Sequence, residues 1–184
     1  MREITLVTSN LKKAEQFARW LGFPVEHVAL DMPELQTMDM EAIVTAKAEV
    51  AYAILKRPLI VEDASLSFAS LNGLPGPFTK FFLQAGGPEL LSHLADLHID
   101  RRATYSVWIA YKDETGVRVF HGDVQGSISM NPCPPGTFGF GFDQCFVPDG
   151  ETEPRAALDH EAFEETSARK LAIDNLREWL MQLN

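Results

Sequence analysis

The stretch ITLVTSNLKKAEQFARWL, residues 4–21, decides the class of fold. Its first residues, ITLV, are a short apolar run rich in β-branched side chains, which reads as a buried strand extending into Thr8 and Ser9. After the polar turn come Ala14, Phe17, Ala18 and Leu21 at helical spacing, which predicts a helix over about 12–21. A strand running straight into a helix is the opening unit of an α/β fold. Working outward, the pattern repeats: a short strand near 25–30, a helix over 40–55, and a strand at PLIVE, 58–62, that ends in acids. Gly73, Pro75, Gly76 and Pro77 then make a turn-rich loop, with short helices predicted at 77–84 and 88–95. Two strands at 103–111 and 117–124 flank a turn at 112–116, and a strand at 124–129 extends that meander. Residues 131–150 hold four prolines and four glycines and read mostly as loop, and a helix is expected over 166–183. The prediction is α/β, with a central mixed sheet flanked by helices.

The chain has 184 residues, 46% hydrophobic and 23% charged, which suits one domain of ordinary size. No apolar run has the length of a membrane span, and the N-terminal apolar run reads as a strand rather than a signal peptide. Cys133 and Cys145 make neither a disulfide framework nor a metal cluster, so a cytoplasmic setting is expected. Lysine and arginine number 16 against 26 acids, a net charge of −10, which argues against nucleic acid as a partner. A small anionic ligand remains compatible if a few cations or a divalent metal neutralise it locally.

Three cations sit oddly. At 100° per residue on the 40–55 helix, Ile43, Val50 and Ile54 fall within about 40° of one another, and Lys47 lies beside them. On the last helix Ala172, Leu176, Leu180 and Leu183 form the inward stripe, and Arg169 sits on it in the first turn, where the helix dipole disfavours a cation. Lys13 flanks the apolar stripe of the first helix, whereas Lys12 points away. Each has a plain structural reading, a snorkelling stem or an ion pair, beside a ligand-binding one. Thr8, Ser9 and Asn10 stand at a helix N-terminus, either as simple caps or as an anion site. Glu62 and Asp63 close a strand and Glu34 follows a proline; they are either solvated acids or hard-cation ligands. The run Phe138-Gly139-Phe140-Gly141-Phe142-Asp143 is either a hydrophobic plug or a surface for stacking on a base.

In order along the chain stand V-T-S-N-L-K-K at 7–13, L-x-M-P-E-L-Q at 30–36, V-E-D-A at 61–64, L-N-G-L-P-G-P-F-T-K-F-F at 71–82, F-G-F-D-Q-C-F at 140–146, P-D-G at 148–150, and S-A-R at 167–169. Together they resemble the inosine triphosphate pyrophosphatase family across nearly the whole chain. The resemblance implies an elongated fold, one domain over 1–184 with two lobes and a cleft between them, usually as a homodimer. It implies Mg2+-dependent hydrolysis of non-standard purine nucleoside triphosphates (ITP, dITP or XTP) to monophosphate and pyrophosphate. It would assign Thr8, Ser9, Asn10 and Lys13 to the triphosphate, Glu34 and Asp63 to the metal, and Lys47 and Lys80 to phosphate charge. Asp63 could also activate water, with Glu62 adjacent and Lys47 assisting. Phe140, Phe142 and Asp143 would meet the base and sugar, and Arg169 would close over the nucleotide.

The chain departs from the family in four places. Ser9 stands where the family usually has glycine, and Phe142 where it has Trp or Tyr. Counting back from Ser167 and Arg169, Phe163 takes the place of a lysine and Ala168 that of a histidine, both tied to base recognition in the family. The phosphate and metal half matches; the base-reading half is altered. Two other readings therefore stand beside the leading one: a relative dedicated to a different or modified nucleotide, and a non-catalytic nucleotide-binding module.

Overall fold

A computed structural model describes residues 4–22 and 24–182. Its strands are β1 (Ile4–Val7), β2 (Val25–Val28), β3 (Leu59–Phe68), β4 (Pro75–Gly76), β5 (Arg102–Asp113), β6 (Gly116–Ile128) and β7 (Phe146–Pro148). Its helices are α1 (Leu11–Leu21), α2 (Met40–Leu55), α3 (Thr79–Asp96), α4 (His160–Glu165) and α5 (Ala168–Gln182). The seven strands form one mixed sheet in the order β2-β1-β3-β5-β6-β7, with β4 paired to β3. β1 runs parallel to both β2 and β3, in register Ile4 with Val25 and Thr5 with Leu59. Those parallel pairs need crossover helices, which α1 and α2 supply. β4 pairs antiparallel with β3, and β7 antiparallel with β6.

The chain divides into two compact units. The first comprises Met1–Asp63, Val107–Gly122 and Arg169–Asn184. Its core joins Val7, Leu59 and Val61 of the sheet to Val44, Ala48 and Ala51 of α2. The small alanines let that helix approach the strands closely, and burial of this apolar surface stabilises the unit at about 25 cal/mol per Å2. The second unit comprises Ala64–Ser106 and Asp123–Ala168, with Leu66, Phe68, Leu91, Tyr105, Phe146 and Phe163 in its core.

Several elements differ from expectation. β3 does not end at Glu62 but continues to Phe68, so both acids lie inside the strand. The continuation alternates inward Leu66 and Phe68 with polar serines, and β4 pairs with it at Leu66 and Ser67. The buried face of α2 is Met40, Ile43, Val44, Ala48 and Ala51, while Ile54 is 56% exposed. The two short helices expected at 77–84 and 88–95 are, by contrast, both present: the backbone of α3 leaves helical geometry at Gly86 and Gly87, just before Pro88, so the element is two helices meeting at a kink. The two later strands of the meander are one, β6. The six-residue α4, capped by the Asp159 side chain accepting from Ala162 N at 3.0 Å, is too short to show a periodic face. Leu183 lies outside the described residues; the rest of the α5 stripe, Ala172, Leu176 and Leu180, is buried as expected. Both cysteines are free. No helix among the described residues is long and apolar enough to cross a membrane.

Candidate active site

In the first unit, β1 delivers the chain into a polar turn that starts α1. Thr8 Oγ1 accepts from Asn10 N at 3.1 Å, and Asn10 Oδ1 accepts from Lys12 N at 3.0 Å and Lys13 N at 3.3 Å. Asn10 is thus the N-cap, which satisfies two otherwise unpaired helical donors. Ser9 is exposed beside it. The turn fixes the direction in which Lys13 leaves the helix.

Lys13 Nζ stands 2.7 Å from Glu62 Oε2. Arg169, on the first turn of α5 and 5% exposed, donates from one guanidinium nitrogen to Glu62 Oε1 at 3.3 Å and from the other to Gln16 Oε1 at 2.7 Å. Burial pushes the Glu62 carboxyl up, but Arg169 and Lys13 outweigh it and hold its pKa below the ordinary value. Next to it, Lys47 Nζ lies 2.6 Å from Asp63 Oδ2 and 3.2 Å from Glu34 Oε1. Burial works against the Lys47 charge, yet Asp63 and then Glu34 raise its pKa above the usual lysine value. Asp63 goes the other way from Glu62: burial raises its pKa, and the attraction of Lys47 and Lys13 offsets this only in part. Six of the expected residues, Lys13, Glu34, Lys47, Glu62, Asp63 and Arg169, are therefore joined by ion pairs in two linked sets. The inward positions read for Lys47 and Arg169 are those observed, and their partners are acids of the same site.

Glu34 Oε1 and Asp63 Oδ2 both lie on the Lys47 ammonium, so the two carboxylates can serve one cation. Among the described residues no group of three or more acidic, His or Cys side chains could hold a metal. Magnesium fits such a sparse donor set, because it is commonly bound by one or two carboxylates with water and substrate phosphate oxygens.

The second unit carries the aromatic residues. Phe142 meets Tyr105 edge-on, centroids 5.0 Å apart, and Phe138 lies against His160 at 5.0 Å and Phe163 at 5.9 Å. Asp143 is buried rather than free to meet a ligand: Oδ2 accepts from Phe140 N at 2.8 Å, and Oδ1 lies 3.4 Å from a guanidinium nitrogen of Arg155. Phe140 and Phe142 are half-buried; Lys80 is exposed in the first turn of α3. Ala168 is buried at the start of α5, and Phe163 in α4. Arg155 was not singled out by the sequence. An arginine in a loop is exposed by default, and nothing adjacent in the chain reveals that this one is covered.

The model of the Ham1 family matches residues 4–179. A dITP/XTP pyrophosphatase of Hyperthermus butylicus is 36% identical over 98% of this chain and 96% of its own. An inosine triphosphate pyrophosphatase of Schizosaccharomyces pombe is 31% identical over 98% of this chain and 96% of its own. Among solved structures, the Ham1 protein of Staphylococcus aureus superposes with a TM-score of 0.85 at 25% identity, covering 100% of both chains. The motif resemblance and the fold thus lead to the same place: this chain belongs to the Ham1 family.

Proposed function

We propose that residues 1–184 act as one nucleoside triphosphate pyrophosphatase domain, converting non-standard purine nucleoside triphosphates (inosine, deoxyinosine or xanthosine triphosphate) to monophosphate and pyrophosphate. The observation that carries this reading is the pairing of three cations, Lys13, Lys47 and Arg169, with three carboxylates, Glu34, Glu62 and Asp63. A module that only bound nucleotide would have no use for a carboxylate whose proton affinity is raised beside phosphate-binding cations.

In this reading Thr8, Ser9 and Asn10 of the turn, with Lys13, Lys47 and Lys80, bind phosphate oxygens, and Arg169 holds the nucleotide. Glu62 stays ionised and fixes Lys13 and Arg169. Asp63 accepts the proton of the attacking water, a task its raised pKa suits. As water oxygen bonds to phosphorus, the anhydride bond between the α and β phosphates breaks and pyrophosphate leaves with the bond electrons. Glu34 and Asp63 would hold Mg2+, which when bound supplies neutralisation of phosphate charge. The resemblance further suggests a cytoplasmic homodimer.

The test is product analysis on inosine triphosphate with and without a chelator. Equal yields of monophosphate and pyrophosphate, abolished by chelation and restored by Mg2+, are expected. Orthophosphate and nucleoside diphosphate as products would overturn the reading. One observation favours a second version of it. Phe163 and Ala168 offer no side-chain donor to a 6-oxo group, so selectivity for inosine over adenosine triphosphate should be low, with a kcat/KM ratio below about 10^3, or the preferred nucleotide should be a different one.

A further inference from the structure

Arg155 has no part in the roles above, yet it is the largest fully buried side chain among the described residues and only 1% exposed. It begins a single helical turn, Arg155–Ala157, against which the aromatic segment lies so closely that a Cβ at Gly139 would come within 2.8 Å of Ala156 Cα. One guanidinium nitrogen faces Asp143 Oδ1, and the other donates to the Phe163 carbonyl at 3.0 Å. The guanidinium carbon stands 4.3 Å from the Phe163 ring centroid and 5.2 Å from that of Tyr105. Those rings in turn hold Phe138 and Phe142. Its Nε atom has no hydrogen-bond partner. A buried cation is costly unless paired, and a well-packed apolar replacement is often as stable. Here the cation touches the acid that ends the aromatic segment and the two rings that flank it.

We infer that Arg155 is a positioning residue for purine recognition: through Asp143, Phe163 and Tyr105 it sets the aromatic segment at 138–143 against the base. The cation is then carried by residue 155 and packed on the ring of Phe163, where the family resemblance would place a lysine. This inference rests on the reading of the chain as a nucleoside triphosphate pyrophosphatase.

The experiment uses two probes with the full chain: the α,β-methylene analogue of inosine triphosphate, which is not cleaved, and inorganic triphosphate, which has no base. Both are titrated by calorimetry into the parent, Arg155→Met, Arg155→Lys and Asp143→Asn. Arg155→Met is expected to weaken the inosine analogue by about tenfold or more, the scale of a lost pocket contact, while inorganic triphosphate changes less than about twofold. Arg155→Lys keeps the charge but not the two-pronged fork, so it should fall between Met and the parent. Asp143→Asn should weaken the inosine analogue selectively as well, and stands in if Arg155→Met shows no cooperative melting. Equal weakening of both probes, or none, overturns the inference, as does a parent that does not bind the inosine analogue. A parent that binds it in an Arg155-dependent way but cleaves no triphosphate sinks the pyrophosphatase reading and leaves Arg155 in its role. A parent that cleaves triphosphates with the same base selectivity in every variant overturns the role of Arg155 alone.

Discussion

Glu62 and Asp63 are neighbours in sequence, yet their surroundings push their proton affinities in opposite directions. Two carboxylates driven apart in this way are suited to different tasks. Asp63→Asn keeps the shape and removes both charge and basicity, so turnover should fall roughly 10^2-fold or more with little change in melting temperature. Near-normal turnover would make Asp63 a structural acid. For Glu62 the folded pKa lies below the ordinary 4.5, because Arg169 and Lys13 favour the ionised form. Its contribution to stability is therefore present above pH 4.5 and lost as pH falls through the lower, folded value. Removing it by Glu62→Gln should lower the melting temperature at neutral pH and flatten its decline as pH falls below 4.5. Parallel melting curves for parent and variant would show that the two cations do not depend on Glu62. At this scale the sequence is informative where a residue violates its element's pattern. Lys47 and Arg169 stand on or beside inward faces, and a helical wheel finds them. Arg155 violates no pattern, because a loop has none, and only the three-dimensional packing shows that it is covered.

At the scale of elements, the strand-to-helix opening was legible because hydrophobic period and polar turn agree over residues 4–21. The extent of β3 was not. Its acids look like a strand end in one dimension, and only the cations of α1, α2 and α5 make them tolerable inside a strand. The face of α2 is hidden for a related reason: its large apolar residues dominate the helical wheel, while the packing uses Ala48 and Ala51 for close approach. The turn at 8–10 left capping and anion binding both open, and the structure shows the cap. A substitution separates the two roles. Aspartate caps a helix about as well as asparagine and suits the positive end of the helix dipole. Asn10→Asp should therefore keep the melting temperature while its added charge repels a triphosphate. KM for the nucleotide should rise by about tenfold, the scale of one misplaced charged contact. An unchanged KM would leave Asn10 as a cap alone.

For the whole molecule, the α/β class and the mixed sheet followed from the alternation of strands and helices, whereas the strand order depends on pairings between distant segments that no local pattern carries. The overall charge, by contrast, is fully legible, and it has a kinetic consequence. The chain carries a net charge of −10, and the cluster that binds phosphate in our reading is not a field of free cations. Lys13 and Arg169 are paired with Glu62, and Lys47 with Asp63 and Glu34. Such pairs look nearly neutral from a distance, so an approaching triphosphate first meets the repulsion of the whole chain. That repulsion reaches about 30 Å at 0.01 M salt and only about 8 Å at 0.15 M. Steering by charge acts on association, so the effect belongs in kcat/KM at fixed Mg2+ rather than in kcat. Adding KCl from about 0.01 M to 0.15 M should raise kcat/KM a few-fold. Toward 1 M the direct phosphate contacts are screened in their turn, at a length of about 3 Å, and the value should fall again. A steady fall from the lowest salt onward would mean that the cations of the site do steer the substrate, and that their carboxylate partners leave them exposed to it.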